Sequence, residues 1–113
     1  MTRAAPVAVI VPTLRRPEGL GRALESLFAQ TEVADRLREI VVVDNDPAGS
    51  AAATVESLRG RSPWSLVYRH APVPGVATAR NVGLQATDAP LIAFLDDDEV
   101  AAPDWLAQLL AAQ

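Results

Sequence analysis

The sequence predicts an α/β domain of three layers, with a mostly parallel sheet laid down in alternating βαβα order. Two observations carry this. Short β-branched apolar runs, VAVIV at 7–11, EIVVV at 39–43 and LIAFL at 91–95, lack the alternation of a strand with one wet face, so each reads as buried on both faces. Between them lie stretches whose apolar residues recur at helical spacing.

The first strand, 7–11, ends at Pro12, which has no N–H to donate. Leu20, Ala23, Leu24, Leu27 and Phe28 mark an amphipathic helix over 17–30, with Pro17 near its start. The second strand, 39–43, runs into the turn signals DNDPAGS. A weaker helix covers 50–60 and stops near Gly60. WSLVYR at 64–69 alternates and reads as the third strand, and HAPVPG is a loop. VATARNVGLQAT, 76–87, fits a helix with Val76, Ala79 and Gly83 on one face. LIAFL is the fourth strand, and 103–112 is a last helix carrying Trp105, Leu106, Leu109 and Leu110. Crossovers between the strands are expected to be right-handed.

A chain of 113 residues suits one domain with one core. Half its residues are hydrophobic and 21% are charged, as in a soluble globular protein. Net charge is −4, all 10 basic residues are arginine, and no basic run points to nucleic acid. With no cysteine there is no disulfide framework, thiolate ligand or thiol nucleophile. No stretch approaches the roughly 20 apolar residues of a membrane span. Residues 1–12 lack the pattern of a signal peptide. A cytoplasmic protein is the expectation, with any association at the cytoplasmic face of a membrane carried by parts outside this chain.

APLIAFLDDDEV, 89–100, places three aspartates and a glutamate directly after a buried strand. Adjacent carboxylates repel, and exposure, a helix N-terminus or a cation relieves them. The helix that follows accounts for Asp104 and Glu99. It accounts less well for Asp96, Asp97 and Asp98. In parallel sheets ligands bind outside the carboxyl ends of the strands. Three loaded loops fall there: PTLRR after strand 1, DNDP after strand 2 and DDDE after strand 4. Mg²⁺ and Mn²⁺ favour one or two protein carboxylates plus substrate phosphates. Asp96 and Asp98 share a side if the strand continues, leaving Asp97 for another partner such as a ribose hydroxyl. An acidic protein that binds a phosphate ester needs such a bridging cation.

Other patterns fail on detail. Gly19-x-Gly21-x-x-Leu24 lacks the third glycine of a dinucleotide fingerprint, and residues 12–17 separate it from the strand. FLDDDEV matches an aspartyl phosphatase start, but there is no lysine for that chemistry or for a phosphoacceptor receiver. His70 reads as a strand-end or loop residue rather than a catalyst. Trp64 and Trp105 read as core rather than sugar platforms.

VAVIVPTLRRPEGLGRALESLFAQ, EIVVVDNDP, HAPVPGVATARNVGL and LIAFLDDDEVAAPDWLAQLL, in this order and over most of the chain, resemble the family 2 type of inverting, nucleotide-sugar-dependent glycosyltransferases with a GT-A fold. The resemblance implies the Rossmann-like nucleotide-binding half of such an enzyme. It implies that Pro12, Thr13 and Leu14 lie against base and ribose, with Arg16 on the phosphate side or merely exposed. Asp44 and Asn45 match the family's paired acids, of which the second contacts the uracil N3–H. Asn45 departs from the usual aspartate, though its oxygen still accepts a hydrogen bond. Asp46 is expected to cap the turn. Arg80 and Asn81 match the family's ARN, where the arginine points to the nucleotide or its supporting acids, the alternative being an exposed helical arginine. Asp96 to Asp98 match D-x-D: Asp98 as ligand of Mn²⁺ or Mg²⁺ with Asp96 beside it, and Asp97 or Asp96 on the ribose.

The implied partners are a nucleotide-diphosphate sugar and an acceptor that is a glycan, a lipid or a small molecule. Inversion needs a general base. By the resemblance that base lies beyond Gln113, so no residue of this chain is assigned to it. The chain is then expected to be the N-terminal, donor-binding part of a longer enzyme, inactive alone. The alternative is a non-catalytic nucleotide-sugar or metal-binding module.

Overall fold

A computed structural model describes residues 5–112. Strands β1 (Val7–Thr13), β2 (Leu37–Asp44), β3 (Ser65–His70) and β4 (Leu91–Phe94) alternate with helices α1 (Pro17–Phe28), α2 (Ala52–Leu58), α3 (Val76–Gln85) and α4 (Trp105–Ala111). The strands form one parallel sheet in the order β3-β2-β1-β4. The chain winds outward from β1 to β3, then returns to add β4 on the other side of β1. The sheet is the parallel α/β sheet that the apolar runs predict.

Both faces are covered. Val7, Val9 and Val11 of β1 and Ile40 and Val42 of β2 meet Leu20, Leu24 and Leu27 of α1, Val55 of α2 and Leu106 of α4. Ile10, Val41 and Val43 face the opposite way, under Ala79 of α3, with Val82 and Ala86 alongside. This splitting of consecutive strand residues between two cores is why the strands carry no polar alternation. β4 lies at an edge, and all of Leu91–Phe94 remain half-buried. Trp64 and Trp105 are half-buried against the larger core, as expected.

β1 does not stop at Pro12 but runs on to Thr13. Residues of a parallel strand bond alternately to the left and right neighbour. Ile10 O accepts from Leu95 N on the β4 side, and Thr13 O accepts from Asn45 N on the β2 side. The nitrogen of Pro12 therefore faces the β4 side, where paired residues end at Phe94. The missing N–H removes no ladder bond. Strand β4 likewise ends before the acids, so Asp96 and Asp98 are not ordered by strand alternation. Glu99 N donates to Asp96 O at 3.1 Å, closing a turn across Asp97 and Asp98.

Val76 does not share the buried face of Ala79 and Gly83: it is 74% exposed at the first position of α3. Gly83 sets the depth of that helix. A Cβ there would stand 2.6 Å from Ile10 Cγ2 and 3.2 Å from Val43 Cγ2. Gly83→Ala is expected to destabilise the domain by about 1–2 kcal/mol net, overpacking outweighing the helix-propensity gain. Gly21→Ala in α1 meets no atom within 4 Å, and is expected to be neutral or stabilising. Denaturant titrations of the two variants decide this, and a Gly83→Ala midpoint at or above wild type would refute the close-packing account.

Candidate functional site

The reversal of strand order between β1 and β4 leaves a cleft of about 340 Å³ at their carboxyl ends. Pro12, Thr13, Leu14 and Arg16 form one wall; Asp96, Asp97 and Asp98 form another; Asn45 and Val76 complete it. Eight of the residues singled out in the sequence thus come together. Asp44 and Arg80 do not line the cleft, and Val76, which does, was grouped by its helical spacing on one face with Ala79 and Gly83.

The two walls are joined. Thr13 Oγ1 donates to Asp97 Oδ2 at 2.8 Å, and Leu14 N approaches the same oxygen at 3.4 Å. Asp97 is half-buried by this contact, whereas Asp96 and Asp98 are exposed. Arg15 takes a left-handed backbone (φ 54°). Its side chain departs to Asp46, with Nε 3.2 Å from Oδ1, while Arg16 turns to the acids, with Nη1 3.7 Å from Asp98 Oδ2. Both Arg16 and Asp98 are solvated, so their pairing is weak.

Helix α1 carries the acid turn along its length. Gly19 lies so close that a Cβ would be 2.8 Å from the Asp97 carbonyl oxygen. Gly19, part of an apparent nucleotide fingerprint in the sequence, is a packing contact. Ser26 Oγ accepts from Ala101 N at 3.0 Å. Buried Gln30 donates to Ala102 O at 2.7 Å and accepts from Leu106 N at 2.9 Å. Glu99 Oε1 accepts from Asp96 N at 3.2 Å. Asp104 precedes α4, where its carboxylate accepts from the Gln108 side chain rather than from a backbone N–H.

Behind the cleft, the two acids of DNDP are a support. Asp44 is fully buried, and its carboxylate accepts from Asp46 N (3.1 Å), Ala51 N (2.8 Å) and the Tyr68 hydroxyl (2.8 Å). Hydrogen bonds from the Ser50 hydroxyl and Ala48 N–H, with the Arg15 guanidinium, hold the Asp46 carboxyl below its ordinary value. His70 ends β3 as expected; its Nε2 lies 2.7 Å from Asp46 O, so that nitrogen is the donor. Asn45 bridges to the loop before α3, donating to Ala71 O and Val73 O and accepting from Gly75 N. The guanidinium carbon of Arg80 sits 4.8 Å from the centroid of Phe94, at the end of β4.

The acids suit a hard cation in a limited way. Among the described residues no group of three or more His, Cys, Asp or Glu is arranged to hold a metal. Asp96 and Asp98 offer one or two exposed carboxylates, the protein share that Mg²⁺ or Mn²⁺ takes when a phosphate ligand and water supply the rest. Among the described residues no helix is long and apolar enough to cross a membrane.

Fold and cleft together define an α/β domain with an open cleft at the topological switch point, where such sheets place their ligands. The chain belongs to glycosyl transferase family 2, whose family model matches residues 8–113. It is 45% identical over 101 residues to the succinoglycan biosynthesis protein ExoM of Rhizobium meliloti (strain 1021), covering 88% of this chain and 32% of ExoM. It is 34% identical over 106 residues to validoxylamine A glucosyltransferase of Streptomyces hygroscopicus subsp. jinggangensis (strain 5008), covering 94% and 25%. The chain thus spans a third or less of these relatives. S. aureus TarS 1–349 in complex with UDP aligns with a TM-score of 0.79 at 25% identity, over 94% of this chain and 31% of that one. The mannosyltransferase PcManGT of Pyrobaculum calidifontis, in complex with GDP-Man and Mn²⁺, aligns at 0.80 and 25%, over 94% and 33%. The fold is the GT-A type.

Burial, then the hydrogen bond to Asp44 and the charges of Asp44 and Asp46, push the Tyr68 hydroxyl from 10.0 up to about 12. A folded-state value above the unfolded one stabilises fully below pH 10.0, and that contribution is lost as pH rises towards 12. Tyr68 is the only tyrosine, so tyrosinate absorbance reports it alone. The folded chain is expected to ionise about two units above the chain in denaturant, and folded-state ionisation at the denatured value would refute the Tyr68–Asp44 contact.

Proposed function

We propose that this chain is a single nucleotide-diphospho-sugar-binding domain, the N-terminal part of a glycosyltransferase that moves a sugar from a nucleoside diphosphate to an acceptor hydroxyl. The observation that carries the reading is the meeting of Thr13 and Asp97 across the cleft, with exposed Asp96 and Asp98 beside them. In this reading Pro12, Thr13, Leu14 and Val76 enclose base and ribose. Asp97, already turned towards the first loop, accepts from a ribose hydroxyl with its remaining capacity, or Asp96 does. Arg16 meets the diphosphate, leaving Asp98. Asp98, with Asp96, holds Mn²⁺ or Mg²⁺, and the ion when bound offsets the charge of the departing diphosphate.

Asp44 supports the site from behind rather than touching the nucleotide, because its oxygens are engaged by Asp46, Ala51 and Tyr68. Arg80 works from the rim, where stacking on Phe94 steadies the end of β4. The residue that deprotonates the acceptor is not among those of this cleft, and a further part of the enzyme supplies it. UDP or GDP-Man in the neighbours' complexes, and Mn²⁺ in one of them, support a nucleotide-sugar donor and a cation here.

Calorimetry of UDP and GDP binding with and without Mn²⁺ tests this. Asp98→Asn is expected to weaken metal-dependent affinity by at least about tenfold, the scale on which metal sites respond to lost support. Undiminished affinity would remove the metal role. A second measurement compares donor-sugar release by residues 1–113 with that of a longer reading frame containing them. Acceptor-dependent turnover by the chain alone would overturn the assignment of the base to another part.

A further inference from the structure

We infer that Asn45 is a positioning residue for the nucleotide, acting through the loop that carries Val76, and not a reader of the base. The inference rests on the reading that the cleft binds a nucleotide, and it concerns how one wall of that cleft is built.

Residues 71–75 read Ala-Pro-Val-Pro-Gly. Pro72 and Pro74 have no N–H, so this loop has few donors with which to brace itself. Its carbonyls look elsewhere. Asn45 Nδ2 supplies both hydrogens of one amide nitrogen, to Ala71 O at 2.8 Å and Val73 O at 2.9 Å. Its Oδ1 accepts from Gly75 N at 3.1 Å. Asn45 is 7% exposed, so this three-point clamp is largely shielded from water. Gly75 has φ 138°, a conformation closed to other residues without strain, and it turns the chain into α3. Val76 follows at once, and its exposed side chain faces the cleft with Leu14 and Pro12. The position of that apolar wall is therefore set by Asn45.

The chemistry requires an amide. An aspartate of the same size only accepts, and it would set a carboxylate oxygen against two carbonyl oxygens. A base reader behaves oppositely. Aspartate keeps an acceptor for the imino N–H of uracil, thymine or guanine, and so would keep or sharpen a preference for these over cytosine.

The experiment compares wild type, Asn45→Asp, Val76→Ala and the double variant. Affinities for UDP, dTDP, GDP and CDP with Mn²⁺ are measured by calorimetry, and amide exchange at Gly75 and Val76 is followed without nucleotide. Asn45→Asp is expected to weaken all four nucleotides by a common factor of about ten and to speed exchange at Gly75 and Val76 selectively. Val76→Ala, a surface change that leaves the clamp intact, is expected to weaken all four by about threefold or more. The effect of Asn45→Asp is expected to shrink in the Val76→Ala background. A changed base ranking in Asn45→Asp, unchanged exchange, additive effects, or an inert Val76→Ala would each overturn the inference. Should wild type bind none of the four, the nucleotide reading itself fails. The exchange measurement then still decides whether Asn45 holds the loop.

Discussion

Strand β1 is bonded on both sides, but unequally, and the site depends on that inequality. β2 pairs with it over Val7–Thr13, while β4 pairs only over Val7–Ile10. The last turn's worth of β1 therefore has one neighbour and one open flank. The chain leaving β4 cannot continue the ladder, and it folds instead into the acid turn beside that flank. Thr13 and Asp97 meet across the gap because two parallel strands of different effective length end side by side. A proline at position 12 is tolerated for the same reason, since its nitrogen faces the flank that β4 has left.

A second consequence concerns adjacent acids with opposite surroundings. Asp44 and Asp46 lie in a shell of donors that includes Ala48, Ser50, Ala51 and Tyr68. A buried carboxylate lacking such donors would be costly. With them it orders the backbone between β2 and α2. Asp96 and Asp98 have solvent around them and little to restrain them beyond Arg16. One set is closed and structural; the other is open to solvent.

Helix α1 links the two. Its first residues follow the loop that touches Asp97, its last turn holds Ala101 through Ser26, and Gln30, just past its end, holds Ala102. The acid turn is thus suspended between contacts to one rigid element. Gly19 permits the approach at one end, and a buried glutamine fixes the other.

The sequence by itself determined the fold class, the order of elements and the three loops that meet at the cleft. Each follows from local signals: β-branched runs, helical spacing, and charge placed at strand ends. It did not determine the direction of individual side chains. Whether Pro12 ends a strand depends on where the neighbouring strand stops. Whether Asp44 opens onto the cleft depends on Ala51 in the next helix's approach and on Tyr68 of the neighbouring strand, which reach its carboxylate only after folding. Val76 has the spacing of a core residue, yet the first turn of α3 carries it to the cleft rather than over the sheet. Asn45 looks like a weakened copy of a base-reading acid until Ala71, Val73 and Gly75 are seen around it. Periodicity and charge are properties of neighbours along the chain, whereas hydrogen-bond partners are properties of neighbours in space, and only the tertiary structure decides those.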